Sequence, residues 1–143
     1  MWGGNLSKKL EEYGYNVKST DLYNHGYGES NIDFLKQEEP FDGDIITNPP
    51  YSYSLEFVLK ALELSKRKVA MLFNIRFLES IRRYENLFKV FPPSTVYVFV
   101  RRIHCYPDGE EVKKGGSSVC YCWFVFDKEY NGEPRIRWIN NKR

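Results

Sequence analysis

The chain has 143 residues, enough for one domain with a real core, and its formal charge of +2 is too small to argue for nucleic acid by itself. No apolar run approaches the length needed to span a bilayer, and Met1-Trp2-Gly3-Gly4 is not a secretory signal, so a soluble, cytoplasmic protein without membrane contact is expected. Cys120 and Cys122 alternate on one predicted strand, and His25 and His104 lack a cysteine at zinc-like spacing, so all three cysteines are read as reduced thiols and no metal is expected.

Asn5 to Tyr13 reads as a short capped helix, with Leu6 and Leu10 four apart and Gly14 just past its end. Tyr15 to Leu22 follows as a strand, Asn24 to Ser30 as a polar loop and Ile32 to Leu35 as part of a connection. Asp44 to Thr47 is an apolar strand, Asn48-Pro49-Pro50-Tyr51 a rigid turn, Tyr53 to Ser65 a helix and Lys68 to Phe73 a strand. This alternation argues for an α/β fold with a mainly parallel sheet covered on both faces. Phe77 to Leu87 looks helical, with Phe77, Ile81 and Tyr84 on one face, and Pro92-Pro93 stops anything that reaches them. Ser94 to Val100 and Val119 to Asp127 are β-branched and aromatic. The long polar loop between them suggests an antiparallel hairpin at a sheet edge, and Arg135 to Ile139 adds a short last strand. No internal repeat, linker or second domain is visible, so residues 1–143 form a single domain in this reading.

The turn carries the chemistry. A turn after an apolar strand and before a helix lies at the carboxyl edge of an α/β sheet, where such sheets bind ligands. The two prolines have fixed φ and no N–H groups, and Asn48 is pushed towards extended geometry by the proline after it. The Asn48 side-chain oxygen and a neighbouring main-chain carbonyl are then free to accept both hydrogens of an exocyclic amino group, while Tyr51 offers a stacking face.

Asn48-Pro49-Pro50-Tyr51 after a strand resembles the catalytic motif of S-adenosylmethionine-dependent amino-methyltransferases, most of all the N6-adenine DNA methyltransferases of phage or prophage type. An adenine amine is a poor nucleophile because its lone pair is delocalised into the ring. Acceptors on both N–H bonds favour the pyramidal form that attacks a sulfonium methyl, and the base must first leave its duplex. The resemblance implies a Rossmann-like class I methyltransferase sheet with a C-terminal antiparallel hairpin, S-adenosylmethionine as cofactor and DNA as partner. It also implies cofactor roles for Asp21 and Leu22 at the ribose and for Asp33 and Phe34 at the cofactor adenine, with Gly3 and Gly4 matching the tail of a glycine-rich loop.

Only two residues precede Gly3, so the first strand of the implied sheet is expected to be missing and the chain to be N-terminally truncated relative to that pattern. An unpaired sheet edge, open to self-association or to a partner's strand, follows. Arg82, Arg83, Lys113 and Lys114, with the loop Ile103 to Ser118, are candidate nucleic-acid contacts, against the alternative that scattered basic pairs such as Lys66-Arg67-Lys68 and Arg101-Arg102 are solvated surface. The same tetrapeptide is shared by methyltransferases acting on RNA adenine and on protein glutamine amides, and an inactive homologue that binds nucleic acid or a partner subunit is a third reading.

Overall fold

The computed structural model describes residues 5–20, 28–103 and 119–142. Helix α1 (Asn5–Glu12) ends as its sequence asks. Gly14 takes φ +89°, its N–H donates to the Glu11 carbonyl at 2.9 Å and the Tyr15 N–H donates to Leu10 at 3.2 Å. This is a Schellman closure, and only a residue without Cβ enters it cheaply.

The rest of the fold is built on a five-stranded sheet of β1 (Ile45–Thr47), β2 (Lys68–Asn74), β3 (Thr95–Phe99), β4 (Tyr121–Asp127) and β5 (Arg135–Ile139), in the order β1-β2-β4-β3-β5. β1 pairs parallel with β2, β3 parallel with β5, and β4 antiparallel with both β2 and β3. Four strands therefore point one way and β4 alone is reversed, a mostly parallel mixed sheet in an α/β protein.

The register sorts the side chains. Val69 lies opposite Phe126, Met71 opposite Phe124 and Phe73 opposite Cys122, while Val96 and Val98 face Phe124 and Cys122 from the other side. These residues form one apolar face, onto which Leu55, Val58 and Ala61 of α2 (Ser54–Leu64) and Phe77 and Leu87 of the segment after β2 are packed. Phe77 is the centre of that packing. Its ring lies 4.4 Å from Phe73, 5.1 Å from Phe124 and 5.5 Å from Phe88, the last two edge-on, and each such pair adds about 0.5–1.5 kcal/mol to simple burial.

Four expectations are corrected. Among the described residues, the helical segments that pack on the core do not cover both faces of the sheet, because α2 and residues 75–88 share one side. The connections β1 to β2 and β2 to β3 join parallel strands and both step the same way across the sheet, and right-handed crossovers stepping one way lie on one face. On the other face Ile46, Ala70, Trp123, Val125 and Tyr97 are half-buried, and Leu72 and Thr95 are buried.

The hairpin of β3 and β4 is not at the sheet edge either. β4 pairs along its length between β2 and β3, and β5 continues the sheet beyond β3. In place of a strand over 15–22, the described part has only an isolated parallel bridge between Thr20 and Glu29, because no neighbouring strand among the described residues offers a ladder to the exposed Tyr15, Asn16 and Lys18.

The helix expected over 77–87 is broken. A 3₁₀ turn (Ile75–Leu78), capped by Asn74, ends at the extended Glu79 and Ser80. Ser80 then caps a new start, α3 (Ile81–Arg83), which runs into a π-helical turn (Tyr84–Phe88). The break resets the helical phase, so Phe77 is fully buried while Ile81 and Tyr84 are 85% and 52% exposed. Truncating Phe77 to Ala should cost about 3–5 kcal/mol, read as a lowered urea midpoint at unchanged slope.

Cys120 and Cys122 are free thiols with their sulfurs 4.0 Å apart; Cys105 lies outside the described residues. Burial, reinforced by Cys120, pushes the Cys122 thiol up to about 12. In the native protein at pH 8, Cys122 should resist alkylation by iodoacetamide and react only after denaturation, as peptide mass mapping would show.

Candidate active site

β1 ends at Thr47, level with Met71 of β2, so Asn48 leaves the sheet at its carboxyl edge. Pro49 is buried and holds the turn against the body, whereas Asn48 and Pro50 are exposed. Residues Tyr51–Tyr53 make a single 3₁₀ turn, closed by the Tyr53 N–H on the Pro50 carbonyl at 3.2 Å, and α2 starts directly behind it. Tyr51 is 48% exposed. The Asn48 side chain has no hydrogen-bond partner among the described residues, so an amide acceptor and an aromatic ring are presented together to solvent.

The segment after β2 forms the adjoining wall. The Asn74 side chain accepts from the Arg76 N–H at 3.1 Å, and the Ile75 N–H donates to the Cys120 carbonyl at 2.8 Å. Asn74, Ile75, Arg76, Val119 and Cys120 line a small hollow of mixed polar and apolar surface at the carboxyl end of β2. Ile75 and Leu78 are 41% and 43% exposed beside it.

Arg82 and Arg83 are not free basic residues. Arg82 forms an ion pair with Glu56 in the first turn of α2. The Arg83 guanidinium donates to the carbonyls of Phe77 at 2.6 Å, Arg76 at 3.0 Å and Glu79 at 3.1 Å, and lies 5.9 Å from the centre of the Tyr51 ring. Sequence reasoning missed both links. Their only sequence signal is Ser80, whose capping preference marks the restart that turns Arg83 back over the preceding turn.

Asp33 caps a 3₁₀ turn (Phe34–Lys36), accepting from the Leu35 N–H at 3.1 Å. Phe34 stacks on Phe57 of α2, with centroids 5.1 Å apart and an interplanar angle of 15°. The pair is thereby docked on the helix that follows the motif. Gly3, Gly4, Asp21, Leu22, Lys113 and Lys114, with all of the loop Ile103 to Ser118 except Ile103, lie outside the described residues.

Other basic residues are engaged locally, by acids or by neutral amides. Lys66 pairs with Asp42 and Arg67 with Asp44, each at 2.9 Å, and the Arg101 guanidinium bonds Asn140 and Asn141. Partial burial alone would raise the Asp44 carboxyl, but the Arg67 hydrogen bond, the Lys68 N–H and the two positive charges outweigh it and hold it below its ordinary value. Among the described residues there is no group of three or more His, Cys, Asp or Glu that could hold a metal, and no helix long and apolar enough to cross a membrane.

No protein-family model matches the chain, and no curated protein matches it at a significant level. The site's interpretation therefore rests on its residues and their geometry.

The Arg82 hydrogen bond, together with its charge, holds the Glu56 carboxyl below its ordinary value. A group whose pKa is lowered on folding contributes stability above its unfolded value and loses it as pH falls through the folded one. Glu56→Gln should therefore cost about 0.2–1 kcal/mol at neutral pH, the range for an exposed pair, and nothing once the wild-type carboxylate is protonated. Urea midpoints of the two proteins should converge below pH ~4, around and under the ordinary Glu pKa.

Proposed function

We propose that this chain is an S-adenosylmethionine-dependent methyltransferase of Rossmann-like class I type, acting on the N6 amine of adenine in DNA. The observation that carries the reading is the exposed Asn48 amide beside the half-exposed Tyr51 ring, on a turn fixed by the buried Pro49 at the carboxyl edge of the sheet. The reversed β4 between β2 and β3 is in keeping with the C-terminal hairpin that the resemblance implies.

In this reading Asn48 Oδ1 and a main-chain carbonyl of the turn accept the two amine hydrogens. That draws the nitrogen lone pair out of conjugation with the ring and orients it, while Tyr51 keeps the extruded base flat. Asp33 fits a cofactor adenine. One carboxylate oxygen caps its own turn and, among the described residues, the other has only Lys36, at 3.9 Å; the next residue, Phe34, stacks its ring on Phe57. When bound, S-adenosylmethionine supplies an electrophilic methyl group. Asn48 orients the nitrogen for it; as the N–C bond forms the methyl–sulfur bond would break to leave a neutral thioether, and the surplus amine proton would pass to water, because the amide and carbonyl oxygens accept hydrogen bonds but are too weakly basic to keep a proton.

Asn48→Ala should lower methyl transfer to adenine-containing duplex by at least about 10²-fold, in the range of losing one preorganised polar contact to a reacting group, with the circular dichroism spectrum unchanged. Running the assay with duplex DNA, RNA and a glutamine-bearing protein in parallel separates the targets, and equal transfer by both proteins would defeat the assignment of Asn48.

A second reading, a module that binds nucleic acid or a partner subunit without catalysis, draws on β1. This strand is three residues long and pairs only with β2 among the described strands. Calorimetric titration with S-adenosylmethionine distinguishes it, since this reading requires no binding even at millimolar cofactor.

A further inference from the structure

Arg83 occupies an unusual position for a surface cation. Its guanidinium lies between two rings, 5.1 Å from the centre of the buried Phe77 and 5.9 Å from that of Tyr51, both within cation–π range. Its Nε–H and one terminal nitrogen are spent on three successive-turn carbonyls, those of Phe77, Arg76 and Glu79. A planar fork with several fixed donors can close such a set; a lysine ammonium on a flexible stem cannot do so in the same plane. Its own N–H is held by Ser80 Oγ at 3.2 Å, which fixes the point from which the side chain turns back.

We infer that Arg83 is a positioning residue for Tyr51: it ties the turn after β2 to the ring of the Asn48–Tyr51 motif and sets that ring's orientation, instead of gripping a phosphate. The inference rests on the reading of that motif as the amine-binding turn. The consequence for the site is mechanical. Phe77 is fixed in the core, Arg83 is fixed on the carbonyls around Phe77, and its guanidinium stands 5.9 Å from the centre of the Tyr51 ring. The ring of Tyr51 thereby acquires a fixed plane while half of its surface stays open for a flat ligand.

The test uses the full chain with ¹³C-labelled tyrosine, in which the Tyr51 ring resonance is the one missing from Tyr51→Phe. Arg83→Gln and Arg83→Lys should both displace or broaden that resonance, and Arg82→Gln, which breaks only the pair with Glu56, should leave it in place. In methyl transfer, both Arg83 variants should lose about tenfold in kcat, equivalent to about 1.4 kcal/mol, with KM for the cofactor unchanged. The salt dependence of DNA retention should keep its slope.

An unmoved Tyr51 resonance in both Arg83 variants would overturn the inference. So would a slope shallower by about one, the mark of a lost phosphate contact. If Arg83→Gln fails to fold, Arg83→Lys, which keeps the stem and the charge, decides by the same resonance. Absence of methyl transfer in the wild-type chain would count against the proposed function alone, and the resonance would still support or overturn the role of Arg83.

Discussion

The seating of Phe77 against Phe73 and Phe124 is the constraint on which the site depends. The residue follows β2 by three positions, and its ring could not enter the core from a helix running straight on, because a straight helix would carry Ile81 and Tyr84 inward with it. The chain therefore makes one tight turn, stops at Ser80 and starts again. The Arg76 carbonyl keeps one turn partner, the Glu79 N–H at 3.0 Å, but the interruption leaves those of Phe77 and Glu79 without helical partners, and a guanidinium returning from position 83 bonds all three. An aromatic packing event thus generates a polar requirement, and meeting it places a cation beside the motif.

The sheet explains why these parts meet at one end. β1 and β2 are parallel neighbours, so the turn after β1 and the turn after β2 leave from the same edge, side by side. Both return over the same face, which stacks α2 and residues 75–88 next to each other and allows Glu56 in the first to reach Arg82 in the second. The basic residues outside this region are mostly engaged with acids or amides near them, as with Lys66, Arg67 and Arg101, so composition overstates the positive surface available to a polyanion.

Much of the scaffold was legible because it is governed by local rules. Gly14 after Leu10, the proline pair after Asn48, and the alternation in Tyr121 to Asp127 each specify backbone geometry within a few residues, and each element appears where those signals put it. Arg135 to Ile139 was visible for the same reason. Most of the failures concern partners distant in sequence; the broken helix is the exception, turning on the local cap at Ser80. Whether β3 or β5 closes the sheet depends on a choice between neighbours that no local pattern encodes. The periodicity of Phe77, Ile81 and Tyr84 matched a helix because a restart after a cap does not disturb residue spacing, only phase. At the site, the exposure of Asn48 and Tyr51 followed from turn chemistry, whereas the role of Arg83 depends on a ring more than thirty positions away in the chain. Asp33 was read as a ligand-facing acid, and its capping bond to Leu35 shows that the same carboxylate also serves its own turn.

The reversal of β4 has a consequence for how such a protein can change. β3 runs towards the edge that carries Asn48, and β4 starts from that edge, with Tyr121 beside Asn74. The long connection between them is therefore fastened at both ends next to the motif, while the core residues Val96, Cys122 and Phe124 are contributed by the strands themselves. Among the described residues none of the buried core lies between 100 and 119, so the strands that build the aromatic packing and the stretch that joins two of them at the Asn48 edge answer to different demands.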